Sequence, residues 1–347
     1  MTRWRVIAPV LAALTIALMV PACGGSKALT ILSVATGTVS VARPGSAKVD
    51  GKVGMRVQAG DVIESGNNST AIITFFEGST IELKPGTSIE VVSLGAARSG
   101  STTVLLRQTL GGTVSRVVKL TDAKSRYEIE TPVAVAGVRG SIMLVDVAAD
   151  GTTHVGNQAG KIVVVAQGVE LEVPVGGGGL VKPGEPPQPE LAHDDGRAEG
   201  GYSMGNTGRE LGFAVQFSPA PVPFEIVKAR IFAWMPGTPA ADSKFTLRIV
   251  AADRRILWEE SFAYTRFTAE HAWVEVDVPG IVVSDNFSVQ LYAPTLGQGQ
   301  GPFIGTDQSG PNRNSSMVLN WEPIAWTTDR PAQSDTNWMI RLVGKAP

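Results

Sequence analysis

The one cysteine of this chain, Cys23, sits at the end of its longest apolar run, where a thiol has a definite chemistry open to it. Arg3 and Arg5 make a short basic start. Val6 to Val20 is apolar apart from Pro9 and Thr15, and Val20-Pro21-Ala22-Cys23-Gly24-Gly25 follows. A run this short fits the core of a signal peptide, whereas a spanning helix needs about 20 apolar residues. Ala22 is small enough to precede a cleavage point, and the Cys23 thiol is the nucleophile that would accept a diacylglycerol. The expectation is a bacterial lipoprotein leader over residues 1–22, lipid on Cys23, and a mature chain anchored outside the cytoplasm, at the inner or outer membrane. The alternative is a plain secretory leader with an incidental cysteine. A lone thiol in an exported chain then lacks a reason.

A second grouping could recognise a ligand. Strand-like runs in the C-terminal part alternate, and alternation assigns each side chain to a face. In Trp273-Val274-Glu275-Val276-Asp277-Val278 the valines share one face, and Trp273 shares the other with Glu275 and Asp277. Phe232 and Trp234 fall with Lys228 and Arg230. Arg248, Gln290 and Tyr292 likewise oppose the apolar positions of their runs. A non-core face carrying Arg230, Trp234, Arg248, Trp273, Gln290 and Tyr292 together would suit sugars: ring faces stack, and planar polar groups bond hydroxyls. The competing reading is that loops fold over this face and the tryptophans are core. A bulge would flip the parity.

Other chemistry lacks its residues. His154, His193 and His271 are far apart, and there is no spaced Cys/His or HExxH pattern, so no metal or other cofactor is expected. Gly156 to Lys161 lacks the spacing and the hydroxyl of a phosphate loop, and no GxSxG elbow occurs. The expected class is a binding protein, not an enzyme. A formal net charge of -2 and a pI near 6.0 supply no basic field for nucleic acid.

The elements that must position these residues divide into two texts. Between Cys23 and Gly200 the aromatics are Phe75, Phe76 and Tyr127, while tryptophans crowd the remainder. The first text consists of short Val/Ile/Thr runs broken by glycine, such as Gly112-Thr113-Val114-Ser115-Arg116-Val117, which predict strands. The second has longer alternating runs such as Phe224–Trp234 and Phe287–Tyr292, which predict a jelly-roll-type β-sandwich. Its shape resembles accessory carbohydrate-binding modules. Gly176 to Gly179 and the proline-rich stretch Pro183 to Pro189 predict a semi-extended linker. The expected fold is all-β: leader 1–22, anchor linker 23–28, a first domain 29–187 of solenoid-like or antiparallel strands, linker 188–208, and a sandwich 209–347.

Three stretches of the first domain carry a family likeness. They are Ala59-Gly60-Asp61-Val62-Ile63-Glu64-Ser65-Gly66, the hairpin text Ala71 to Leu83, and Thr131-Pro132-Val133-Ala134-Val135-Ala136-Gly137-Val138-Arg139-Gly140-Ser141. Together they resemble the FecR-type domain, the extracytoplasmic part of bacterial siderophore-signalling regulators. The resemblance implies its fold and a binding or scaffolding role in the envelope. Family members that regulate sigma factors carry a cytoplasmic segment and a spanning helix before this domain. Neither is seen here, so direct transcriptional control is not expected. Arg139, thrown out between Gly137 and Gly140, either pairs with an anionic partner or bonds carbonyls across its turn. Asp61 is expected to cap a turn. Two functions follow: a lipid-anchored protein whose sandwich binds polysaccharide or cell-wall glycan, or an envelope sensor that binds a protein by strand addition.

Overall fold

The computed structural model describes residues 29–194, 196, 198–203, 211–219, 223–238, 242–292, 301–308, 315–319, 322–323 and 336–345. These residues are all-β, with one short 3-10 turn at Tyr264–Arg266. The first half contains β1 (Ile31–Thr36), β2 (Val39–Ala42), β3 (Val49–Asp50), β4 (Val62–Ser65), β5 (Thr70–Thr74), β6 (Thr80–Leu83), β7 (Ser88–Ala96) and β8 (Thr102–Arg116). It continues with β9 (Arg126–Glu130), β10 (Val135–Val138), β11 (Ile142–Val147), β12 (Thr153–Ala159), β13 (Ile162–Ala166), β14 (Val169–Val173), β15 (Gly178–Val181) and β16 (Gln188–Leu191). The second half contains β17 (Gly200–Tyr202), β18 (Leu211–Phe217), β19 (Phe224–Trp234), β20 (Lys244–Ala251), β21 (Ile256–Ala263) and β22 (Ala272–Val283). After it come β23 (Phe287–Tyr292), β24 (Phe303–Asp307), β25 (Ser315–Leu319), β26 (Glu322–Pro323), β27 (Asn337–Trp338) and β28 (Ile340–Lys345).

Two sheets face each other in the first half. The first runs β1-β5-β6-β8-β11-β12-β15-β16, and the second runs β3-β2-β4-β7-β8-β9-β10-β13-β14. Of the two arrangements expected, solenoid-like or antiparallel, the pairing is antiparallel, with β8 and β9 as a parallel exception. Period-two alternation sends Ile63, Ile73, Ile81, Ile89, Leu106 and Ile129 inward to one core. Fully burying side chains of this size stabilises by about 1.5–3 kcal/mol each.

Strand β8 belongs to both sheets. Its N-terminal part pairs β7 and β9, and its C-terminal part pairs β6 and β11. The corner falls at Gly111, with φ +81°, where a Cβ would lie 2.6 Å from the Gly86 carbonyl oxygen. Gln108 holds the corner from within. Its amide donates to the carbonyls of Gly111 (2.6 Å) and Val145 (3.1 Å), and it accepts from the Thr113 hydroxyl at 2.7 Å.

The second half is the expected sandwich. A third sheet, β21-β20-β23-β18-β25-β26, packs on β22, β19, β28 and β24 around Phe213, Phe217, Phe224, Phe245 and Phe287. The expected linker is different in the structure. Gly178–Val181 and Gln188–Leu191 are strands, paired to β12 and to each other. β16 also pairs β28 through Glu190↔Val343 and Leu191↔Leu342, so the first sheet runs unbroken from one half into the other. The glycines there serve close packing, not slack. A Cβ on Gly178 would lie 2.7 Å from His154 Cε1, and one on Gly179 would lie 3.2 Å from Leu171 Cδ2.

Candidate functional site

Cys23 lies outside the described residues, as do Trp321 and Trp326. The six residues expected on one sandwich face divide between two. Arg230, Trp234 and Trp273 stand on the outer face of the first sheet, on β19 and β22. Arg248, Gln290 and Tyr292 stand on β20 and β23 of the third sheet, with Arg248 opposite Gln290. The parity was correct for every strand, because the bulge between Ile226 and Lys228 precedes the aromatic run. What alternation does not specify is which sheet a strand joins. The outer faces of two packed sheets point away from each other, so these six do not share one ligand.

The rings are also engaged. His271 stacks on the Trp234 indole at 3.9 Å and 23°, and Phe303 lies parallel to it at 5.4 Å. The far edge of that indole rests on Gly201, where a Cβ would come within 1.9 Å of Cη2. Trp273 carries the guanidinium carbons of Arg341 and Arg230 over its ring at 4.5 and 4.7 Å, with Phe232 edge-on at 5.4 Å. Arg248 pairs with Glu259 across β20 and β21, and Gln290 is buried.

Arg230 belongs to a buried ion cluster where the two halves meet. It lies opposite Arg341 across β19 and β28, and like charges so placed repel. Glu190 bridges them. Its Oε1 accepts from Arg230 at 2.7 Å, and its Oε2 lies 3.4 Å from Arg341 and 2.5 Å from His154 Nδ1. The imidazole nitrogen touches this oxygen off the line of a hydrogen bond. Asp194 takes the Nε of Arg341 at 3.0 and 3.1 Å and also pairs with its terminal nitrogen. Beside them Glu275 accepts from Lys182 (2.6 Å) and Lys228 (2.9 Å). Burial pushes the Glu190 carboxyl up, but Arg341, His154 and Arg230 outweigh it and hold it well below the ordinary carboxylate range. Burial likewise opposes the Arg341 charge, and Asp194 and Glu190 reverse the effect. The cluster joins β12 and β16 of the first half to β19 and β28 of the second.

The signature run folds as a closed turn and a strand. The Thr131 hydroxyl accepts from the Ala134 amide at 3.0 Å, closing a turn over Pro132. Gly140 takes φ +88° and packs against the Lys119 backbone. Arg139 is exposed, and its guanidinium donates to the Ala123 carbonyl at 2.5 Å, in a segment outside its own turn. Asp61 accepts from the Gln58 amide at 3.0 Å after Gly60, capping the turn, and pairs with Arg43.

The same run places side chains on the open face of the second sheet. One row crosses four adjacent strands, Glu130–Val135–Val165–Glu170, and the next is Glu128–Gly137–Val163–Glu172. Val135 and Val165 are 37% and 39% exposed, an unusual state for paired valines in a sheet centre. Carboxylates flank them on both sides. Arg107 bridges Glu90 and Glu130, Arg126 holds Glu128, and Lys161 holds Glu172. These four glutamates and three bases are joined by Glu170, which leaves an acidic surplus.

Residues 61–168 match the family model described as FecR protein. This segment is a FecR domain. Two crystal structures, at 2.50 and 1.65 Å resolution, of a Parabacteroides distasonis protein assigned as an anti-sigma factor are similar to the chain at 17% identity and a TM-score of 0.32. Each likeness covers 36% of this chain and 56% of the other, so the chain spans little more than half of that protein. No curated protein matches.

The valine rows lie within or beside the FecR domain, and sequence reasoning passed over them. Val135 and Val165 sit in ordinary strand text, and their outward direction depends on which neighbours pair with β10 and β13. The signal available was Glu130 and Glu170, each outward in its own alternating run.

Proposed function

We propose that this chain is a regulatory or sensing module of the bacterial cell envelope, in which the FecR domain engages a protein partner across the open face of its second sheet. The observation that carries the reading is the paired rows of outward valines with glutamates on both flanks. An apolar centre with a charged rim is the anatomy of a protein interface. The acidic surplus selects a partner segment whose apolar side chains are flanked by lysine or arginine. The basic start, the short apolar run and Cys23 support display of this face outside the cytoplasm on a lipid anchor. The sandwich fits this reading as a rigid extension, since its outer indoles are held by His271, Arg230 and Arg341.

The test is photocrosslinking in cells from probes at positions 135 and 165, with a probe at Val282, 59% exposed on the sandwich, as the control. One envelope protein captured from 135 and 165 and absent from 282 is the expected result. Equal capture from all three positions, or none from 135 and 165, overturns the reading. With the probe moved to Val163 in the next row, the variant V135T/V165T loses most of the capture and keeps its melting temperature, because threonine preserves the shape and strand preference of valine and adds no charge to the row.

A further inference from the structure

The described chain begins beside an open groove of about 720 Å³ at one end of the FecR-like half. Leu29, Val57, Phe76 and Leu94 form its apolar walls, and Arg56 and Arg98 line it. The walls are fixed. Thr30 accepts from the Val57 amide at 2.9 Å through its carbonyl and from the Phe76 amide at 3.2 Å through its hydroxyl. Phe76 and Leu94 pack on the main core from the groove side, and Leu29 is 51% exposed. The guanidinium groups of Arg56 and Arg98 pair with no carboxylate among the described residues. Elsewhere on this half, Arg43, Lys48, Arg107, Arg116, Arg126 and Lys161 have acidic partners, while Lys52, Lys119, Lys124 and Arg139 form no ion pair among the described residues and do not line this groove. Two unpaired cations over an apolar floor fit a ligand with an anionic head and a hydrocarbon body.

We infer that this groove seats the headgroup and upper acyl chain of an anionic phospholipid, setting the FecR-like half against the membrane face. The charge supports that occupant, and so does position. Leu29 is six residues beyond Cys23. Six extended residues span at most about 20 Å, so a lipid on Cys23 keeps the groove within reach of the headgroups. The choice of a membrane lipid over other amphiphiles therefore rests on the anchored reading proposed above. Each basic residue near an anionic surface contributes on the order of 1 kcal/mol, which is roughly a 5-fold effect on binding.

The experiment uses residues 23–347 with Cys23→Ser, which keeps every described residue and carries no lipid of its own. Sedimentation with phosphatidylcholine vesicles containing phosphatidylglycerol is compared with pure phosphatidylcholine. Binding to the anionic vesicles only, weakened roughly 25-fold in R56Q/R98Q, is the expected result. Equal binding by wild type and variant, or no preference for the anionic vesicles, overturns the inference, as does no binding at all. Circular dichroism confirms that the variant is folded, and R98Q alone, in an exposed turn, gives a separate roughly 5-fold loss. Acylation of Cys23 is read independently by radiolabelled palmitate in cells. A chain that fails to acylate thus leaves the vesicle result interpretable.

Discussion

Replacing Glu190 by glutamine tests whether the buried cluster holds the two halves together. The substitution keeps the volume and removes the charge that bridges Arg230, Arg341 and His154. Removing one partner of a buried pair costs about 3–5 kcal/mol, because the other charge stays buried without compensation. Here Asp194 still faces Arg341 and Glu275 still lies 3.3 Å from Arg230 Nε, so the lower end, about 3 kcal/mol, applies. At roughly 2–4 °C per kcal/mol for a domain of this size, the melting temperature falls by roughly 6–12 °C. Scanning calorimetry at neutral pH measures it, and limited proteolysis around residues 192–200 shows whether the junction opens first. The pH dependence provides a second measurement. Glu190 has a folded pKa below its unfolded value, so in the window between them the unfolded chain binds more protons. Its contribution is complete above the unfolded value, roughly 4.3, and is lost as the pH falls toward the folded one. The stability of E190Q therefore falls less steeply than wild type below that pH. A melting shift under roughly 2 °C, with parallel pH curves, would refute the argument that this carboxylate clamps the junction.

Two further substitutions probe the frame around the faces. Gly201→Ala forces the Trp234 indole off its seat and out of its stack with His271, at a cost of about 1–3 kcal/mol. A red-shifted tryptophan emission and a lower melting point are expected, and unchanged emission would show that the indole is not seated there. Gln108→Leu leaves the Gly111 and Val145 carbonyls without their amide donor at the β8 corner, at about 1–3 kcal/mol for each unpaired group. Denaturant unfolding measures it, and a loss below about 1 kcal/mol would mean the corner stands without Gln108.

Strand type and facing were legible in the sequence because period-two alternation is a local property. The valines of Trp273–Val278 point to the core as read, and Phe232 and Trp234 point away from it. The linker was misread because glycine and proline carry one signal for slack and for close packing. Gly178 and Gly179 are where the backbone must approach His154 and Leu171. Pro189 sits inside β16, opposite Gly179. The ion cluster was hidden by distance. Arg341 is 147 residues from Asp194 and 151 from Glu190, and a buried arginine in an alternating strand reads as a solvated one until its neighbours are known. The Thr131–Ser141 run was legible because its turn, strand and glycine are all local.

The strand pairing of β16 with β28 sets an order of events during folding. All the other strands of the first half find their partners among themselves. β16 has β15 on one side, and its free edge must wait for a segment some 150 residues downstream. Until that segment arrives, the first sheet ends in an open row of amides and carbonyls beside a Glu190 that has His154 but not yet its two arginines, a template for pairing with another molecule. Pairings of such long range form late, because loop closure precedes any gain from contact. The moment of greatest vulnerability to aggregation is thus the interval between completion of the first half and docking of β28. A chaperone that shields β16 in that interval would raise the yield of folded protein without altering its final stability.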